Sequence, residues 1–183
     1  MDEKNPYQVR GCRQIYDNPW ITVREHAITT PSGREGIYGV VEFKNQAVGV
    51  VPYEAGRIWL VGQYRFPLSA YSWEIPEGGA PHDEAPEACA HRELLEETGL
   101  RARRLDKLFS MHLSNSVSNE IAHVFLAREL EHGEAQPEDT EQLVVRPVTL
   151  SEALALVLSG EITDSMSVAA VFRLELMRRE GQL

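Results

Sequence analysis

Three glutamates, Glu93, Glu96 and Glu97, stand close enough along the chain to act as one chemical group. The stretch 83–98 reads as a helix, because Asp83 is a capping residue type, Pro86 suits a first turn that needs no amide donor, and Gly99 suits the left-handed residue after a last turn. At about 3.6 residues per turn the three carboxylates share one stripe, with Ala88, His91 and Leu95 on the opposite side. Like charges this close repel, so a positive charge is expected among them. Hard carboxylate oxygens suit magnesium, with manganese as the alternative. Magnesium shares its shell with phosphate oxygens, so such a site fits a diphosphate whose charge must be neutralised as a bond breaks. Spacing alone favours a plainer reading, a solvated acidic helix face. The glycines that bracket the stretch, Gly78-Gly79 and Gly99, argue against it by defining a loop-helix-loop.

Taken together, Gly78, Glu84, Arg92-Glu93-Leu94, Glu96-Glu97 and Gly99-Leu100 fill every specified position of G-x5-E-x7-R-E-U-x-E-E-x-G-U, with U aliphatic. The segment thus resembles the Nudix box, whose family cleaves nucleoside diphosphates linked to another moiety. The resemblance implies a divalent-metal-dependent hydrolase in which Glu93, Glu96 and Glu97 ligate the ions and the main-chain carbonyl of Glu77 completes the shell. It also implies that Arg92 and Glu84 form a structural pair holding loop and helix in register. Glu96 is carried as a catalytic candidate as well as a ligand.

Other segments bear on the substrate. Gln63-Tyr64-Arg65-Phe66-Pro67 and Trp73-Glu74-Ile75-Pro76 are similar to segments ahead of the box in ADP-ribose and nucleoside-diphosphate-sugar pyrophosphatases. Arg65 offers a planar, always-charged fork for phosphate oxygens, and the resemblance gives it the role of a diphosphate clamp; the bland alternative is an ion pair. Trp20 is the stacking candidate for a base, whereas Trp73 is expected in the core. The stretch 112–120 stands where the ADP-ribose branch carries a Ser-Pro-Gly-x-Ser-x-Glu loop. Here Asn115-Ser116 replace Pro-Gly, which leaves other nucleotide sugars open, while Ser118 and Glu120 match the end of the pattern and Glu120 can accept hydrogen bonds from sugar hydroxyls. The reaction needs a group to take a proton from the attacking water, and the resemblance puts it in the acidic run 138–141: Glu141 first, Asp139 second. A solvated loop tip is the alternative there. His112 and His123 have no zinc-site spacing and are read as core or loop residues.

These residues need a scaffold. Alternation and turn signals predict strands at 8–16, 20–29, 36–43, 47–53 and 57–64, then, after the acidic helix, at 103–111, 121–127 and 142–148, with helices at 151–158 and 164–179. That order fits a mixed sheet sandwiched between helices, an α/β/α Nudix domain over 46–183, preceded by an antiparallel β element over 1–45. The resemblance implies that this element builds a homodimer. At 183 residues and 43% apolar content the chain suits one compact domain with a small addition. A formal charge of -10 argues against nucleic acid as partner, and the lack of a long apolar run argues against a membrane. Two cysteines and no secretory leader pattern lead to the expectation of a cytoplasmic protein. The expected activity is magnesium-dependent hydrolysis of nucleoside diphosphate sugars such as ADP-ribose. The alternatives are a hydrolase of nucleoside triphosphates or RNA 5′ ends, a non-catalytic Nudix ligand sensor, and, least favoured, a Nudix-fold isomerase.

Overall fold

The computed structural model describes residues 4–133 and 143–183. The chain divides into two compact units, the first made of the residues up to Asn45 with His112–Ile121, the second of Gln46–Met111 and Ala122–Leu183. In the first, β1 (Gln8–Asp17), β2 (Ile21–Thr29) and β3 (Glu35–Phe43) form an antiparallel sheet in that order. Asn18 sets the first turn by accepting from the amides of Trp20 and Ile21, both at 2.8 Å. Every residue of β1 is exposed, and cross-strand pairs join the sheet, Arg13 with Glu25 between β1 and β2 and Arg24 with Glu42 between β2 and β3, while Ile28 of β2 is buried. The stretch His112–Ile121 joins this unit through β3: the Val41 amide donates to the Val117 carbonyl and the Phe43 amide to Asn119 Oδ1, each at 2.8 Å.

The second unit holds a seven-stranded sheet. Its central path runs β10 (Val144–Thr149), β5 (Arg57–Arg65), β4 (Asn45–Glu54), β9 (Ile121–His132), β8 (Leu100–His112). β6 (Ala70–Glu74) pairs with β5 and β7 (Glu77–Pro81) with β4. β4 and β9 are parallel, and β4 is buried along its apolar run, as a central strand covered on both faces must be. Alternation along β4 sends Val48 and Val50 into a core with Cys89, Ala90 and Leu94 of α1 (Pro86–Thr98). Gly49 points the other way, where a Cβ would lie 2.8 Å from Ile75 Cδ1 and 3.7 Å from Met166 Sδ of α3 (Ser165–Arg179). α2 (Leu150–Ser159) begins on a capping box between Thr149 and Glu152. This is the expected mixed sheet between helices. β10 pairs with β5 along one edge, and among the described residues no strand pairs with its other; Pro147 lies in it, as suits a rim strand.

Four expectations need correction. α1 starts at Pro86, not at Asp83; Ala85 ahead of it is extended (φ -67°, ψ 137°) and no side chain caps the helix, because a residue before proline is driven out of the helical region. β6 and β7 were not foreseen. β9 runs to His132 rather than 127, continuing past Glu129, whose φ is 56°. Trp73 is half-buried rather than core, packed edge-on to Tyr71 at 5.6 Å with the Arg146 guanidinium 5.6 Å from its ring centre.

Candidate active site

α1 turns its acidic stripe inward. Glu97 is 2% exposed and Glu93 9%, beside Cys89, Ala90 and Leu94, while Ala88 and His91 face solvent. That excludes the solvated-face reading, since carboxylates are not buried without partners. The positive charge comes from Arg92: Nη1 donates to Glu93 Oε1 at 2.7 Å and to Glu96 Oε2 at 3.0 Å. The rest of its fork grips Glu84, at 3.1 Å from Nε and 2.9 Å from Nη2, and reaches the Gly79 carbonyl at 3.2 Å. One guanidinium thus ties helix, loop and preceding turn together, and it holds the Glu84 carboxyl below its ordinary pKa. At Gly78 a Cβ would fall 1.9 Å from Glu93 Oε1, so only glycine admits the carboxylate there.

Ahead of the box, Arg65 at the end of β5 donates from Nε to both Glu74 oxygens at 3.0 Å, and from one Nη to Glu74 and Glu77 at 2.6 Å each. The Glu77 amide in turn donates to Glu97 Oε2 at 3.0 Å. Burial, then the nearby Asp164 and Glu74, push the Glu77 carboxyl well above its ordinary range, against the pull of Arg65. Glu77 Oε2 is buried with no hydrogen-bond partner among the described residues. Arg65 is therefore committed first to two glutamates, and the expected phosphate clamp has only the exposed 34% of that side chain to offer.

The other candidates are placed as follows. Trp20 is 66% exposed in the first unit. Ser118 and Glu120 lie in that unit too, with Ser118 Oγ donating to the Ser114 carbonyl at 3.1 Å and burial raising the Glu120 pKa. Asp139 and Glu141 fall outside the described residues. His123 is a satisfied core histidine between Ser110 Oγ at 2.8 Å and Gln46 Oε1 at 2.7 Å, its pKa lowered by burial. Sequence reasoning missed Glu74, Asp164 and Ser167. Glu74 stands inside the Trp73-Glu74-Ile75-Pro76 segment with no signal of its own, and Asp164, expected inside the helix at 164–179, is instead the cap of α3.

Among the described residues no three His, Cys, Asp or Glu side chains are gathered around one ligating point. The site departs there from the expected three-carboxylate cradle, because Arg92 holds Glu93 and Glu96 in ion pairs. The donors still fit a hard divalent cation: carboxylate oxygens from one helix stripe, a buried Glu77 oxygen without a partner among the described residues, and a glycine whose missing Cβ leaves room for the Glu93 carboxylate.

Comparison with known proteins agrees with this geometry. The NUDIX domain family matches residues 44–166, and the nucleoside diphosphate sugar hydrolase N-terminal domain matches residues 8–41. Over 165 residues the chain is 36% identical to an ADP-ribose pyrophosphatase of Bacillus subtilis, covering 89% of each chain. It is 30% identical over 165 residues to a methanol dehydrogenase activator of Bacillus methanolicus, again 89% of each. A crystal structure of an ADP compounds hydrolase aligns over 100% of both chains with a TM-score of 0.88 at 19% identity, a likeness of fold. With a complete box on α1 and the family match spanning most of its length, the chain belongs to the Nudix family.

Proposed function

We propose that this Nudix pyrophosphohydrolase cleaves the phosphoanhydride of nucleoside diphosphate sugars, ADP-ribose among them, with magnesium, giving a nucleoside monophosphate and a sugar phosphate. The observation that carries the reading is the burial of Glu93 and Glu97 against the loop at Gly78, an acidic face turned into the protein rather than out. The match of residues 8–41 to a nucleoside diphosphate sugar hydrolase domain supports the substrate class. Glu93, Glu96, Glu97 and the Glu77 carbonyl would hold the metal. When bound, it supplies positive charge against the diphosphate as the bridging bond weakens. Water oxygen bonds to phosphorus, the bridging P–O bond breaks, and the water proton passes to Glu141 or, second, Asp139. Arg65 orients Glu74 and Glu77 and turns its exposed edge to phosphate. Trp20, Ser118 and Glu120 serve base and sugar. The N-terminal sheet forms a homodimer, and the protein works in the cytoplasm; among the described residues no helix is long and apolar enough to cross a membrane.

The test is a substrate panel. Protein with magnesium is offered ADP-ribose, GDP-mannose, UDP-glucose, dinucleoside polyphosphates and the common triphosphates, and a nucleotide sugar is expected to turn over fastest. Preferential release of pyrophosphate from triphosphates would overturn the substrate class.

A further inference from the structure

We infer that Ser167 of α3 is a positioning residue for Glu97, acting through the backbone of segment 75–77; the inference rests on the proposed role of Glu97 at the metal site. The link between β6 and β7 is pinned from three sides. The Ile75 amide donates to Ser167 Oγ at 2.8 Å, the Pro76 carbonyl accepts from the Val50 amide at 2.9 Å, and the Glu77 amide donates to Glu97 Oε2 at 3.0 Å. Ser167 and Ile75 are both 0% exposed, so water cannot replace the hydroxyl as acceptor. Ser167 is itself fixed, its amide donating to Asp164 Oδ2, the cap of α3, at 2.7 Å. The missing Cβ at Gly49 lets Ile75 settle this deep.

The chain of consequence is short. Without Ser167 Oγ the Ile75 amide is buried with no acceptor, and the segment relaxes by moving to find one. Glu77 N then leaves Glu97 Oε2, and the carboxylate loses a backbone hydrogen bond that helps fix its orientation. Loss of an outer hydrogen-bond partner of a metal ligand typically weakens metal affinity by about 10–100-fold. Ser167 is fully buried, and the helix that carries it begins far along the chain from the box.

The experiment measures free manganese by electron paramagnetic resonance during titration of the full chain, as wild type, Ser167→Ala, Ser167→Thr and Glu97→Gln. Ser167→Ala is expected to bind manganese about tenfold more weakly, while Ser167→Thr, which keeps the oxygen, stays within about threefold of wild type. Wild-type affinity in Ser167→Ala alongside a lowered melting temperature would reduce Ser167 to a structural residue and overturn the inference. So would a threonine variant as weak as alanine. Glu97→Gln separates the two claims: wild-type manganese binding in that variant removes the metal reading and this inference with it, whereas weakened binding there with wild-type affinity in Ser167→Ala removes the inference alone. If Ser167→Ala does not fold, Ser167→Cys, close in volume and a weak acceptor, carries the same expectation.

Discussion

Glu97 stands at the meeting of two demands, a buried negative charge and a backbone amide that needs an acceptor. Glu97→Gln keeps an oxygen for the Glu77 amide and removes the charge, so the melting temperature should shift little. Turnover should fall by about 100–1,000-fold, the equivalent of several kcal/mol of lost electrostatic stabilisation. Near-normal turnover would show that the ligand assignment is wrong. The two cysteines offer a check on which face of α1 is sealed. Burial, with Glu93 beside it, pushes the Cys89 thiol up to about 12, whereas Cys12 is exposed on β1. A thiol reagent at neutral pH should therefore label Cys12 in the folded protein and Cys89 only after denaturation, as read by peptide mass. Early labelling of Cys89 would mean that the core under α1 opens readily.

At the scale of elements, α1 is written at its ends by Pro86 and Gly99 and along its side by Arg92. Gly99 has φ 72°, and its amide donates to the Leu95 carbonyl at 2.9 Å. Gly99→Ala is expected to cost about 1–2 kcal/mol in chemical denaturation, since a Cβ is disfavoured in the left-handed region, with no change in substrate preference. No loss would mean that the helix end relaxes without strain. The helices and the longer strands were legible because caps and alternation are local signals. β6 and β7 were not: each is five residues long, β7 carries the poor strand formers Gly78, Gly79 and Pro81, and the two strands have their partners in β5 and β4. The box residues were equally legible, and the inward turn of the stripe was not, because helical spacing states which residues share a face and leaves open what the face meets.

For the whole molecule, β5, β6, β7 and α3 converge on the Arg65 guanidinium, where Glu74, Glu77 and Asp164 act on it, and Glu97 of α1 acts in turn on Glu77. Burial first, then the neighbouring carboxylates Asp164, Glu74 and Glu97 against the pull of Arg65, favour keeping a proton on Glu77, and its raised pKa expresses that. An acid raised in the folded state contributes stability that is fully present below its unfolded value, near 4.5, and is lost as pH climbs through the folded one. Glu77→Gln should therefore melt higher than wild type at alkaline pH, with the gap closing towards pH ~4.5, in the absence of divalent ions. A gap that widened on acidification would reverse the assigned direction. The β10 rim of the same sheet has a different consequence. Proline has no N–H, so Pro147 leaves a hole in the row of donors along β10, and a foreign strand docking there finds an interrupted partner. Fibre growth through that side of the sheet is discouraged by a single ring.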